Sequence, residues 1–160
     1  MFTRVLRFVR LPLLLLLLYA FFRLLLGLRG VPYAPRGNAM FSVVGLTIIS
    51  SIYFGALSRK VGGFGWLGTV LVGVVLGLWA QILVFALTLI SFSAHLTTSY
   101  YIHWDSLNLP PETAPTSMGQ LIAIRAGGLV ANLIIAIVAA LIGRVLGVLV
   151  SAPAPGTSET

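Results

Sequence analysis

The sequence predicts an all-α integral membrane protein, a polytopic bundle of four transmembrane helices. Three observations support this class. Of the 160 residues 59% are hydrophobic and 8% are charged, whereas ordinary globular chains carry about 25% charged residues. The mean hydropathy is +1.07. At about 20 residues per span, the chain has room for three or four spans, which excludes a soluble enzyme domain or a large extramembrane module.

The first span is predicted at about residues 11–28, where eleven leucines follow one another closely. At about −0.5 kcal/mol each they outweigh the cost of Arg23, about +3 kcal/mol at most. Arg10 and Arg29 flank the run, and we expect Arg23 to extend toward the nearer surface. The basic start resembles a secretory signal, but no small-x-small cleavage pattern follows the leucines. Because Arg23 interrupts the run, three spans plus an interfacial helix at 11–28 is the alternative.

Turn residues separate the next two spans. Pro32, Pro35 and Gly37 end the first helix, and Asn38 is the predicted cap of the second. The second span is placed at about 39–57 and is followed by a basic, glycine-rich turn at 58–65. The third span, at about 66–90, is longer than a bilayer requires and is expected to tilt or protrude.

The segment 91–117 is the one sizeable loop, rich in aromatic and hydroxyl side chains before Pro110 and Pro111. Ser117 and Gln120 have the spacing of a capping box, so a helix is predicted to start there, with a fourth span at about 126–147. Residues 1–150 are then a single membrane domain. Residues 151–160 form a polar tail of Pro, Ala, Ser and Thr, which we expect to be disordered in isolation.

The net charge of +7 comes from ten basic and three acidic residues. The basic residues stand at the ends of apolar runs, as headgroup anchors do, so nucleic acid is not expected as a partner. Arg36, which follows the first apolar run, is another of these predicted headgroup anchors. Five basic residues on the N-terminal side against three on the other favour a cytoplasmic N-terminus, in a bacterial cytoplasmic membrane. The predicted interface anchors are Arg10, Arg29, Trp66, Tyr100, Tyr101, Trp104, Arg125 and Arg144; the loop aromatics are equally suited to anchoring a partner protein.

Small residues recur at four-residue spacing in three of the four predicted spans. Such faces let helix backbones approach closely, and side-chain amides can donate across helices. Either they pack helices within this chain, or at least one docks a partner. The predicted packing residues are Thr47, Ser51 and Gly55 in the second span, Gly73, Gly77 and Gln81 in the third, and Asn132, Ala136, Ala140, Gly143 and Gly147 in the fourth; Gly128 shares the face of Asn132.

Few side chains suit catalysis or cofactor binding. No Asp or Glu lies inside a predicted span, which argues against proton coupling. His95 is a candidate axial ligand for haem or a chlorophyll-type pigment. His103 and Asp105 with a nearby serine could be drawn as a triad, but adjacency in sequence does not create that geometry. We expect no metal site, since two histidines and one aspartate are too few, and the absence of cysteine excludes thiolate ligands.

These patterns favour a non-catalytic accessory subunit of a larger membrane complex, for example a respiratory or photosynthetic one. Its expected partners are other integral membrane subunits and lipid at the helix surface, with no cofactor required. Two alternatives stay open. One is a small oligomeric channel or transporter in which Gly73, Gly77 and Gln81 line or flank a path. The other is a pigment or haem protein that binds through His95.

Overall fold

The computed structural model describes residues 1–33, 41–115 and 117–149. These residues form five α-helices and one short 3-10 helix at Asp105–Leu107, and none of them lies in a strand. Three helices are long and apolar enough to cross a membrane, which indicates a membrane-embedded protein. The helices are α1 (Phe2–Phe8), α2 (Arg10–Leu28), α3 (Val43–Lys60), α4 (Trp66–Ser93) and α5 (Met118–Leu149), and the three candidate spans are α2, α4 and α5.

The N-terminal basic segment forms a helix of its own, α1, which was not predicted from the sequence. The helix breaks at Val9, and α2 starts at Arg10. Pro12 explains the break, because a proline ring clashes with the carbonyl four residues earlier, here that of Phe8. Pro12 lies in the first turn of α2, where backbone N–H groups have no acceptor within the helix, so its missing N–H removes no helical hydrogen bond. α1 packs on the turn between α3 and α4, where Phe8 meets Phe64 edge to face at 5.3 Å.

Helix α3 begins later than predicted. The second span was placed from residue 39, but Phe41 has a φ of 56° and Ser42 is extended, so neither continues a helix. The Ser42 hydroxyl accepts a hydrogen bond from Gly45 N at 3.1 Å and caps α3. The predicted cap Asn38, with Pro35, Arg36 and Gly37, lies outside the described residues. α3 is not among the three candidate spans; Arg59 and Lys60 in its last turn lower its mean hydropathy.

Helices α4 and α5 are also longer than the spans predicted from sequence. α4 starts at Trp66 as expected and runs to Ser93. Its end is closed by His95 in the left-handed conformation, with Leu96 N donating to Ser91 O at 2.8 Å. α5 starts at Met118, and Gln120 N donates to the Ser117 hydroxyl at 3.2 Å, which is half of the predicted capping box.

The four long helices alternate in direction across the bundle. Arg4 near the N-terminus reaches Gly62 in the α3–α4 turn, whereas Gly27 at the end of α2 lies against residues 98–100 after α4. One end, the Met1 end, therefore holds α1, the α3–α4 turn and the end of α5. The other, the loop end, holds the segment 94–117. α4 is central and contacts every other α-helix. A buried hydrophobic cluster in the described residues consists of Val5, Val9, Leu16, Ala20, Val43, Phe64, Val72, Val75, Leu76 and Ala80.

Candidate functional site

Arg125 organises the loop end of the bundle. It lies two turns into α5, and its guanidinium reaches across to α4 and to the loop. Nε donates to the Thr88 hydroxyl at 2.9 Å, and one terminal nitrogen donates to Tyr101 O at 2.7 Å. The terminal nitrogens also meet Ser106, at the carbonyl (3.2 Å) and the hydroxyl (3.4 Å). All four acceptors are neutral oxygen atoms, so these bonds fix the side chain without cancelling its charge.

A second guanidinium, that of Arg23 on α2, lies on the same side of the loop end. One of its nitrogens donates to the Tyr33 hydroxyl at 3.1 Å. Its guanidinium carbon lies 5.4 Å from the ring centre of Tyr33 and 5.7 Å from that of Tyr100, within cation–π range. The Tyr100 hydroxyl in turn donates to Val31 O at 2.7 Å, so the loop and the end of α2 hold the aromatic groups around Arg23 in place.

A cavity of about 250 Å³ lies between these two arginines. Helix α3 contributes its N-terminus to the wall, through Ser42, Val43 and Val44. Val44 is 38% exposed, so the wall reaches the surface of the bundle. The described lining residues include two cations and no carboxylate. They are Arg23, Tyr33, Ser42, Val43, Val44, Val84, Tyr100, Tyr101, Ser106 and Arg125.

Burial and the nearby cations set the protonation of the loop side chains. Burial raises the pKa of the Tyr101 phenol, and Arg23 and Arg125 oppose this more weakly. The hydroxyl of Tyr101 donates to Ala20 O at 3.0 Å, which also requires the neutral phenol. For His103, burial lowers the pKa, Asp105 raises it, and Arg23 lowers it further. Both side chains are therefore mainly uncharged near neutral pH, and the two arginines are the charged groups among the described residues that line the cavity.

The opposite end of the bundle holds a third guanidinium, that of Arg144. Its side chain is buried, 7% exposed, and one nitrogen donates to the Thr69 hydroxyl at 2.8 Å and to Phe64 O at 2.9 Å. The Ser58 hydroxyl lies 3.3 Å from the same nitrogen, and the Trp66 ring centre lies 4.6 Å from the guanidinium carbon. Neutral dipoles and an aromatic face thus surround the cation.

The two arginines of α5 and two threonines of α4 form a matched pair of contacts. Arg125 bonds to Thr88 near one end, and Arg144 bonds to Thr69 near the other. The arginines are 19 residues apart, and so are the threonines, which is about 28 Å on each helix. Because the helices are antiparallel, these contacts fix the register of α4 against α5 at both ends.

The predicted small-residue faces lie at contacts within this chain. A Cβ on Gly55 would overlap the backbone of Ala140, one on Gly143 the backbone of Ile52, and one on Gly147 that of Ala56. Between α4 and α5, a Cβ on Gly73 would lie 2.7 Å from Ala136 O, and one on Gly77 3.0 Å from Ala136 Cβ. Ala136, Ala140 and Ser51 are fully buried, and Thr47 is 4% exposed. The parts of these faces formed by Gly55, Gly73, Gly77, Gly143 and Gly147 are therefore occupied within the chain, whereas a Cβ on Gly128 would meet nothing within 4 Å.

The two amides of the predicted spans lie together. Gln81 is 5% exposed and lies with Asn132 beside a cavity of about 10 Å³, about the volume one water requires. Either amide was suited to donating across helices; the Asn132 side chain donates to Gly128 O of its own helix at 2.8 Å. Residues Gly73, Gly77 and Gln81 thus face packed helix, and the described part of the chain has no wide path beside them.

The histidines do not lie together at a ligand site. His95 is exposed at the end of α4 and borders none of the cavities described here; its assignment as an axial ligand stays a prediction. The His103 ring stacks on Tyr33, 4.2 Å between ring centres. Its Nδ1 accepts from the backbone N of Asp105 at 3.2 Å, whereas a triad would need a carboxylate there. Within residues 1–33, 41–115 and 117–149, no group of three or more His, Cys, Asp and Glu could hold a metal ion.

The predicted anchors fall into two groups. Arg10, Arg29 and Trp66 are exposed, and Trp104 is partly exposed. Tyr100, Tyr101 and Arg144 are 5%, 2% and 7% exposed. Their polar groups, and that of Arg125, contact protein, which differs from the headgroup contacts predicted for them. The reason is that each of these polar groups has hydrogen-bond partners elsewhere in the chain. The tyrosine hydroxyls donate to backbone carbonyls, and the arginines donate to carbonyl and hydroxyl oxygens.

Comparison of the chain with protein-family models, curated proteins and solved structures finds no match. The loop-end cavity was not predicted from sequence. Arg23 and Arg125 are 102 positions apart along the chain, and each alone has the position of an interface arginine. The one available signal was Arg23 itself, since an arginine inside an apolar run is costly unless something compensates it.

Proposed function

We propose that the protein is a non-catalytic subunit of a larger membrane complex and that the outer face of α5 packs against a helix of a neighbouring subunit. The observation that carries this is a second stripe of small residues on α5. Ala123, Gly127 and Ala131 follow one another at four-residue spacing and are exposed. A Cβ on Gly127 would meet nothing within 4 Å, so a helix can approach closely there.

The position of α5 in the bundle supports the same proposal. It contacts α3 and α4 on one side and has no substantial contact with α2. Within its most apolar stretch 28% of residues are buried, against 44% for α4. Val130 and Ile134, which flank the stripe, are 57% and 56% exposed. Small residues beside bulky ones are typical of helix–helix contacts in membranes, whereas a helix face that contacts only lipid needs no small residues.

The distribution of charge favours a role without catalysis. The three acidic residues of the chain, Asp105, Glu112 and Glu159, all lie outside α2, α4 and α5. Proton-coupled subunits need an ionisable carboxylate at depth. The glycines that would line a path in the channel hypothesis are packed on α5. A respiratory or photosynthetic assembly is the kind of complex in which such a subunit would serve.

We further propose that α3 crosses the membrane as a fourth span and that the N-terminus is cytoplasmic, in a bacterial cytoplasmic membrane. α3 has 18 residues, about 27 Å of helix, and packs along α5. Arg4, Arg7, Arg59 and Lys60 share the Met1 end, which suits the positive-inside rule. A reporter active only outside the cytoplasm, inserted after Gly63, should be silent; activity there would contradict this orientation.

Site-specific crosslinking tests the subunit proposal. A photoreactive residue at Ala131 should yield an adduct with one defined membrane protein, whereas one at Leu14, which is 59% exposed on α2, serves as the lipid-facing control. Gly127→Leu should abolish both the adduct and copurification while leaving the fold intact, because the space around Gly127 is open. A monodisperse monomer that copurifies with nothing and gives no adduct at Ala131 would contradict the proposal.

A further inference from the structure

The loop-end cavity has the properties of an anion site. Two guanidinium groups line it, and the acceptors that the described residues offer them are hydroxyls and carbonyls. A guanidinium has five N–H donors. For Arg125, four acceptor contacts hold the side chain rigidly. For Arg23, the described residues supply one hydrogen-bond acceptor, the Tyr33 hydroxyl, so within the part of the chain that the structure describes most of its donors remain for a ligand.

Helix α3 adds to the positive potential. The first N–H groups of a helix have no acceptor within the helix, and the macrodipole places partial positive charge there. Ser42 satisfies Gly45 N, while Val43 and Val44 form the cavity wall at the first turn. The helix end therefore acts together with the two arginines, and the three elements converge on one space.

The cavity lies near the loop-end terminus of α2, a candidate membrane span, where lipid headgroups are expected. Arg23 is five residues from the end of α2 at Leu28, about 8 Å along the helix axis. A volume of about 250 Å³ is several times that of one water molecule, about 30 Å³. It is large enough for a tetrahedral oxyanion with some of its water. Arginine is the side chain best suited to phosphate oxygens, because its planar fork matches their geometry.

We infer that this cavity binds a phosphate group, supplied either by a lipid headgroup or by free inorganic phosphate. Arg23 donates directly to the phosphate oxygens, and Arg125, held by Thr88, Tyr101 and Ser106, supplies a fixed second charge. The Tyr33 hydroxyl accepts from Arg23 and keeps its own proton for the ligand. The bound phosphate would offset two partly buried cations and tie α2, α3 and α5 together at the loop end. The site needs no neighbouring subunit.

Binding measurements on the full-length chain test the inference. The protein is purified in a phosphate-free nonionic detergent and titrated calorimetrically with dihexanoyl phosphatidylglycerol and, separately, with inorganic phosphate. Dihexanoylglycerol, which lacks the phosphate, is the probe control. Arg23→Gln should weaken binding about tenfold or more, because charge-assisted hydrogen bonds are lost. Arg29→Gln, an exposed arginine on the same helix, is the matched control and should change affinity less than about twofold.

The outcomes separate the source of the phosphate and the validity of the site. Loss of phosphatidylglycerol binding in Arg23→Gln, with inorganic phosphate inert, assigns a lipid headgroup; the same loss for both probes assigns a site that also takes free phosphate. Four results would overturn the inference. The first two are equal affinity of wild type and Arg23→Gln for the phosphate probes, and a loss of affinity in Arg29→Gln as large as that in Arg23→Gln. The others are binding of dihexanoylglycerol as tight as that of phosphatidylglycerol, and no binding of either phosphate probe. Among the described residues, Arg23→Gln removes one hydrogen bond and two cation–π contacts, all near the surface of the bundle, so the variant should fold, which circular dichroism verifies.

Discussion

Replacing Gly143 by alanine tests whether close backbone contact holds α3 against α5. A Cβ at this position would lie 2.7 Å from the carbonyl carbon and 2.8 Å from the Cα of Ile52, whereas ordinary contacts begin at 3.4 Å. The obstacle is backbone, so no side chain can rotate away. The Ile52 carbonyl oxygen would lie closer still, so the helices would have to separate by more than about 0.7 Å, the difference between 2.7 and 3.4 Å.

The cost of that separation can be set against the gain in helix propensity. A gap of about 0.5 to 1 Å forfeits a quarter to a half of the dispersion energy of the atoms that face it, and overpacking costs about 1 to 3 kcal/mol. Alanine in place of glycine contributes about 0.5 to 1 kcal/mol in favour of the helix. We therefore expect Gly143→Ala to lower the free energy of unfolding by about 1 to 2 kcal/mol.

Gly127→Ala, on the same helix, is the control because its added methyl meets nothing within 4 Å. It keeps the propensity gain without the clash, so it should raise the free energy of unfolding by about 0.5 to 1 kcal/mol. The measurement is reversible unfolding in mixed micelles of increasing SDS fraction, followed by circular dichroism. If both variants gain stability alike, α3 and α5 do not pack through their backbones as described.

Two further substitutions test the loop end. Thr88→Val keeps the side-chain volume but removes the acceptor of Arg125 Nε, so it should lower the free energy of unfolding by about 1 to 3 kcal/mol. Thr97→Val, on the exposed turn, is the control and should change the free energy of unfolding little. Equal effects of the two substitutions in the same denaturation assay would refute the contact. Because burial raises the pKa of Tyr101 above its ordinary value of 10.0, its stabilisation is full below that pH and is lost as the pH rises above it. Tyr101→Phe, although it loses the bond to Ala20, should therefore show a smaller further loss of stability above pH 10 than wild type; parallel pH profiles would refute this.

Hydropathy predicted the membrane class and the positions of α2, α4 and α5, because each depends on the local density of apolar residues. The start of α3 depends on something else. Residues 39–41 are apolar and extend the run toward the N-terminus, yet Phe41 adopts a left-handed conformation and Ser42 caps the helix. Apolar composition does not encode that turn. Only Ser42 itself, a residue type favoured at helix N-caps, indicates it, and a single serine is weak evidence.

The contacts of Arg144 could not be predicted from the sequence either, because they also do not follow from local composition. Its partners Ser58 and Thr69 are 86 and 75 positions away, so local patterns cannot bring them together. One long-range signal was present in the sequence. The separation of Arg125 from Arg144 equals that of Thr69 from Thr88, and for two antiparallel spans equal separations permit both arginines to pair at once. The small-residue spacing is visible in the sequence, but which of these faces lies against another helix of the chain depends on the helix order in space.

The three arginines located inside apolar helices differ in how far the protein satisfies them, and this locates the anion site. Arg144 has three oxygen acceptors and an aromatic face, and it is buried. Arg125 has four acceptor contacts. Arg23 has one acceptor among the described residues, beside an accessible cavity. A guanidinium in a low-dielectric region is costly without a counter-charge, so an external anion gains most at Arg23. At the Met1 end neutral dipoles already surround the cation, and a phosphate there would have to displace them.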